Sequence, residues 1–272
     1  MRTEVVGSVI ICGVRPVKLL RPTLALLPLL VGGVTGCAGR AVRPPSPATS
    51  VTATEMESTP APAGERYFMI VYGSQSKPKV PKFTHTWATV VRTNGCPGTV
   101  LDHHTISWMP ATLDIHPYRF RVEPGANLGM KESLDVRFGF KERISIWGPY
   151  EIRVGIYRKF LMQKEFLESG QVGYQCIDTI GEAARTGGGS DCYHALTDSD
   201  AKFDRGHYPL SRYGEDASES IVEQLQTRQA LYEPWIAHDW LLPALGIDQY
   251  PVIRRTYRGR VDPAVRTRAI EP

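Results

Sequence analysis

The sequence predicts an α+β domain over residues 66–255, and three observations predict it. Short β-branched and aromatic runs separated by turn signals fill the first half of that range, so strands come first. Longer stretches with apolar residues at helical spacing fill the second half, so helices follow. The two classes do not alternate, as a parallel α/β sheet would require. The whole chain has 272 residues, of which 42% are apolar and 22% charged, with 25 Gly and 21 Pro. That composition suits a globular domain. The abundance of turn formers and the lack of a fixed-period repeat argue against a coiled coil or a solenoid.

Each element has its own warrant. Residues 66–72 (RYFMIVY) are apolar, β-branched and aromatic, the pattern of a buried strand. Residues 77–82 (KPKVPK) form a loop, and 84–93 (THTWATVVRT) alternate as a second strand. Asn94-Gly95-Cys96-Pro97-Gly98 is a turn signal before a third strand at 99–109. These three strands are expected to form an antiparallel meander, with a fourth strand at 118–122. Residues 127–140 carry a weak helical pattern, and 144–147 read as a short strand or a helix entry. Pro149 suits the first turn of a helix that Gly170 ends, with Ile152, Ile156 and Phe160 at helical spacing. Residues 174–179 read as extended, and Gly187-Gly188-Gly189 as a hinge or tight loop. Ser190 or Asp191 then caps a helix through about Asp198. Residues 215–229 and 235–245 complete the set as helices.

Ahead of the domain, residues 1–36 read as a signal peptide. Arg2, Arg15, Lys18 and Arg21 face Glu4 alone, so most of the formal net charge of +4 lies there. The chain's basicity thus reflects targeting rather than a nucleic-acid surface. The apolar stretch from Pro22 to Val34 spans about 13 residues, short of a membrane span but suited to a signal h-region. Val34-Thr35-Gly36-Cys37 resembles the bacterial lipobox. That resemblance implies cleavage before Cys37 and diacylation of its sulfur. Residues 37–65, rich in Pro, Ser and Thr, read as a disordered tether. Residues 256–272 read as a basic tail. The expected place of the protein is the bacterial cell envelope, held to a membrane by its N-terminal lipid.

Three cysteines remain for the domain: Cys96, Cys176 and Cys192. An odd count in an exported chain leaves at least one thiol outside any intramolecular bridge. A Cys96–Cys176 bridge would leave Cys192 as that thiol, but nothing in the sequence places those two together. No Cys-x-x-Cys pair is present, so a zinc knuckle is not expected, and no cofactor or metal site is read. Cys192 opens a predicted helix behind a glycine loop, a position that favours the thiolate. Asp191 beside it works the other way, as an exposed neighbouring carboxylate. A thiol nucleophile needs a base and a group to orient that base. His85, on the second strand, is the candidate base. His103 and His104 follow on the third strand, and alternation lets only one of them share a face with His85. His104 is preferred, and His103 stays open. His194, two residues past Cys192, faces another way on a helix and reads as a packing or hydrogen-bonding residue.

These pieces, in this order, resemble the circularly permuted NlpC-type papain-like superfamily, which includes the lecithin:retinol acyltransferase-like proteins. The resemblance rests on His85 in THTWATVV, His103-His104 in LDHHTISW, and Asp191-Cys192-Tyr193-His194-Ala195-Leu196, over residues 67–198. It departs from the family pattern in having Asp191 where Asn is usual. It also departs in a long interval before Cys192, filled by an inserted helical segment around 127–169. The resemblance implies a permuted papain-like fold. It also implies thiol chemistry on amide or ester bonds, with Cys192 attacking, His85 as base and His104 orienting it. The expected substrates are peptidoglycan-type amides or lipid esters. The alternative is a non-catalytic envelope lipoprotein that uses the same fold as a binding module.

Overall fold

The structure, a computed structural model, describes residues 60–119, 121–176, 188–204 and 212–260. The signal peptide, Cys37, residues 37–59 of the tether, Gly187, residues 177–179 and the tail beyond 260 lie outside the described residues. The domain is α+β, built on a mixed five-stranded sheet. Strand β1 (Arg66–Gln75) pairs antiparallel with β2 (Thr84–Thr93) over its whole length, from Arg66↔Thr93 to Gln75↔Thr84. Strand β3 (Val100–Ile106) pairs antiparallel with β2 on its other side. The expected meander of the first three strands is therefore present. Its third member is shorter than predicted, because Ser107 breaks the pairing. Trp108–Pro110 then forms β4 in a separate pair with β5 (Gly125–Asn127).

The strand expected at 118–122 does not form among the described residues. His116 and Arg119 close a turn there, and Tyr118 is 80% exposed. The partner of β4 is instead Gly-Ala-Asn, a segment with no β-branched residue to announce it. Helix α1 (Met130–Gly139) realises the weak pattern, with Met130 and Leu134 buried. Strand β6 (Arg143–Glu151) then pairs antiparallel with β1. Pro149 belongs to this strand and does not open a helix. It sits where the β1–β6 register shifts between Met69 and Val71, a bulge that needs no ladder N–H from it. Glu151, the last residue of this strand, pairs with Arg66. Helix α2 (Val154–Glu168) begins only after Arg153.

Two short parallel strands follow, β7 (Gly173–Tyr174) and β8 (Gly189–Ser190). Then come α3 (Cys192–Thr197), α4 (Glu215–Thr227) and α5 (Leu241–Ala244). The last predicted helix is thus reduced to one turn. Strand β9 (Ile253–Arg255) closes the sheet parallel to β6, giving the order β3-β2-β1-β6-β9.

Alternation along the strands divides the apolar residues between two layers. Met69, Val71, Ala88, Val90 and Trp147 face α2, α3 and α4, and with them form the larger core. Ile70, Tyr72, Trp87, Ile144 and Ile146 face α1 and α5. Burying one Leu- or Ile-sized side chain contributes about 1.5–3 kcal/mol, so both layers hold the sheet. Among the described residues no helix is long and apolar enough to cross a membrane, and no group of three metal-ligating side chains forms.

Candidate active site

His85 is the second residue of β2 and is 1% exposed. Its ring stacks on Trp87, with centroids 5.2 Å apart, and Trp87 stacks in turn on Tyr72 at 5.0 Å. Nε2 lies 2.8 Å from Ser107 Oγ. Nδ1 is buried with no hydrogen-bond partner among the described residues. Ser107 is itself held in place. Its N–H donates to Asn127 Oδ1 at 2.8 Å and its carbonyl accepts from Leu128 N at 3.1 Å. Asn127 donates onward to Thr105 O and to Glu168 Oε1. Burial, and then the charge of Arg137, push the His85 pKa well below the ordinary 6.5. The imidazole is therefore neutral at neutral pH.

Arg137, near the end of α1, is the cation beside it. Its side chain is 1% exposed and its partner Glu142 0%. Nη1 donates to Glu142 Oε1 at 3.1 Å, and Ser74 Oγ donates to Glu142 Oε2 at 2.6 Å. Nη2 donates to Met109 Sδ at 3.0 Å, and Nε has no partner among the described residues. Burial pushes the Arg137 pKa down. The negative charge of Glu142, then that of Cys192, pushes it back up.

Cys192 is the first residue of α3 and is 3% exposed within the larger core. The sequence places its cap correctly. Asp191 Oδ1 accepts from Tyr193 N at 2.8 Å and from His194 N at 2.9 Å. Asp191 Oδ2 lies 2.6 Å from His194 Nδ1. Asp191 is thus buried at 0% exposure and fully engaged, not the exposed, water-screened carboxylate expected. With a helix of six residues whose first donors bind Asp191, the dipole argument for the thiolate loses most of its force. Tyr193 OH ties the helix to α4 through Gln224 Nε2 at 2.9 Å.

Register sends His85 to the α1 side of the sheet, with Trp87, whereas α3 packs on the Ala88–Val90 side. His85 and Cys192 therefore lie on opposite layers, and His85 Nδ1 makes no hydrogen bond to the thiol. At this end of β2, β3 has already stopped. There Met109, a member of the α3-side core, contacts Arg137 from the α1 side. Arg137 is the group whose charge acts on both His85 and Cys192.

The expected orienting residue is corrected. His104 pairs with Val90 and so leaves β3 on the face opposite His85. Its Nε2 lies 3.6 Å from Asp102 Oδ1, and its ring meets the edge of Tyr157. His103 shares the His85 face by register, beside Val91, but is exposed. Ser107 is the residue that holds His85. Sequence reasoning passed over it because a serine without a motif carries no titratable signature. Its one signal was its place, at the point where the strand stops alternating.

The other cysteines lie apart from one another. Cys96 Sγ is 3.3 Å from His238 Nδ1, beside Phe68 and Val91 on the α5 side. Cys176 is buried in the larger core, and burial chiefly pushes its thiol up to about 12. Neither these two nor Cys192 is in a disulfide, so the Cys96–Cys176 bridge does not form. Comparison with protein-family models, curated proteins and solved structures finds no match for this chain.

Proposed function

We propose that the chain is a lipid-anchored envelope thiol hydrolase or acyltransferase of permuted papain-like architecture, with Cys192 as nucleophile and His85 as base. The observation that carries this reading is the state of His85. It is a neutral, buried imidazole fixed through Nε2 by Ser107, with Nδ1 unengaged among the described residues. With Nε2–H donating to Ser107 Oγ, Nδ1 keeps its lone pair and accepts a proton. A neutral base of this kind suits a thiol that is deprotonated as it attacks.

In this reading Cys192 Sγ attacks the carbonyl carbon of an amide or ester, and its proton passes to His85 Nδ1. The tetrahedral intermediate collapses to a thioester, and the same proton leaves on the departing amine or alcohol. Water, deprotonated by His85, then releases the acid and restores the thiol; an acceptor alcohol or amine in its place gives acyl transfer. Arg137 offers a fixed positive charge near the thiolate without competing for the proton. His104 has no part in these steps. The lipobox resemblance supports the anchor. Mass spectrometry of the mature N-terminus should find an acylated Cys37, and Cys37→Ser should release the protein from membranes.

The binding-module reading has one observation in its favour. Asp191 takes the N–H groups of Tyr193 and His194, donors that would otherwise face an oxyanion. Turnover of a p-nitrophenyl ester and of a muramyl-peptide amide separates the readings. Cys192→Ala should abolish turnover, and His85→Ala should lower kcat by about 10²–10⁴-fold. Ser107→Ala, a positioning change, should lower kcat less and shift the pH profile with KM unmoved. Full turnover by Cys192→Ala contradicts the hydrolase, and no turnover by the wild type on either substrate favours the module.

A further inference from the structure

We infer that Cys176 and Cys192 are a vicinal thiol pair that forms a reversible disulfide, a covalent modification that masks Cys192. The effect on activity rests on the function proposed above, whereas the bond itself does not. The geometry comes from the β7–β8 ladder. Gly173 pairs with Gly189 and Tyr174 with Ser190, in parallel. Gln175 N–H donates to Ser190 O at 3.1 Å, one of the bonds that make the Tyr174–Ser190 pair, the last of the ladder. Cys176 is two residues beyond Tyr174, and Cys192 is two beyond Ser190. A two-residue step along extended chain returns the side chain to the same face. Asp191, the residue between, is still extended at φ −92 and ψ 178.

Carried two residues beyond the end of the ladder, the same register sets the two cysteines opposite each other on one face. Neighbouring strands lie about 4.8 Å apart, inside the Cα separation of about 4.4–6.8 Å that a disulfide spans. Both side chains are buried in one core, at 8% and 3% exposure. Their charges also bear on each other, since the Cys192 thiolate is among the causes that raise the Cys176 pKa, after burial and Asp191.

The chemistry needs an external disulfide as oxidant, of the low-molecular-weight kind met outside the cytoplasm. The Cys192 thiolate attacks one sulfur of that disulfide. A mixed disulfide forms and the first external thiolate leaves. Cys176, once deprotonated, attacks the Cys192 sulfur and expels the second external thiolate. Two protons pass from the protein thiols to the two leaving groups, and two electrons reduce the oxidant to two thiols. Burial makes Cys176 the slower partner, so the second step should quicken as pH rises. In the mixed disulfide Cys192 no longer carries charge, which removes one of the causes that hold Cys176 protonated.

The test treats the full chain with oxidised glutathione, quenches with acid and maps peptides without reduction. The expected result is a Cys176–Cys192 linked peptide, formed faster at higher pH, with ester hydrolysis lost and then regained with dithiothreitol. Cys176→Ala should stop at the Cys192–glutathione adduct and keep hydrolysis in its reduced form. A wild-type protein that accumulates the Cys192 adduct without linkage overturns the inference. So does linkage of either residue to Cys96, or a pair of thiols that glutathione leaves unmodified. Linkage in a protein that never hydrolyses the ester supports the thiol pair and contradicts the proposed function instead.

Discussion

His85 and His104 lie on neighbouring strands, and their surroundings separate them completely. His85 is 1% exposed, fixed by Ser107 and neutral beside Arg137. The His104 side chain is 35% exposed and rests on the acid of its own strand, Asp102. One strand register puts the first between the sheet and α1, and the second against Tyr157 on the other face. The difference teaches that a histidine's chemistry is decided by burial and by its second nitrogen's partner, not by having another histidine nearby. It also locates the polar seam of the domain. Ser74, His85, Ser107, Arg137 and Glu142 are all buried at one end of the sheet, within an otherwise apolar interior.

That contrast can be broken from either side. The largest effect should come from Arg137→Leu, which leaves Glu142 buried without its cation. Loss of one partner of a buried ion pair costs about 3–5 kcal/mol, read as a lower urea midpoint. Arg137→Leu combined with Glu142→Leu should recover part of that loss. If the single change costs no more than a surface substitution, the seam does not hold this end of the sheet. Asp191→Ala should come next, at about 1–2 kcal/mol, from the lost cap of α3. Asp191→Asn keeps an acceptor for the cap and should cost less.

The pH dependence of stability then singles out His85. Its folded pKa is depressed, so below 6.5 the unfolded chain binds a proton that the native chain refuses. The stability it contributes is fully present above pH 6.5 and is lost as pH falls from there toward the folded pKa. One such group gives a slope of up to about 1.4 kcal/mol per pH unit. His85→Gln should flatten the fall in urea midpoint between about pH 6.5 and 5.5. An unchanged slope would mean that His85 is not the buried neutral group described. The smallest effect belongs to His104→Ala, within about 0.5 kcal/mol in the same assay, as for a surface site.

What the sequence showed, and what it hid, follows the same division between local and distant causes. Strands β1 and β2, the Asp191 cap and helix α4 were legible because alternation, capping and helical spacing are local patterns. Pro149 misled because its preference for a helix's first turn is local, whereas the bulge that accepts it is made by β1, some eighty residues away. Strand β5 was hidden because Gly-Ala-Asn forms a strand only when β4 offers it a ladder. At the candidate site, Cys192 and His85 are readings from residue type and position. Ser107 and Arg137 were missed because their roles come from burial and register, and neither leaves a mark in a short window. Asp191 was found but misjudged, since nothing nearby in the sequence shows that it is buried against His194.

The central claim is that His85 activates Cys192, and the rate at which iodoacetamide alkylates Cys192 across pH tests it most directly. The measurement follows the Cys192 peptide in wild type, His85→Ala and His104→Ala, with far-UV circular dichroism confirming that each is folded. The account predicts that His85→Ala slows alkylation at neutral pH, where the neutral imidazole would take the thiol proton, while His104→Ala matches the wild type. A Cys192 profile that is the same with and without His85 would contradict the account and leave Cys192 as an inert thiol of the core.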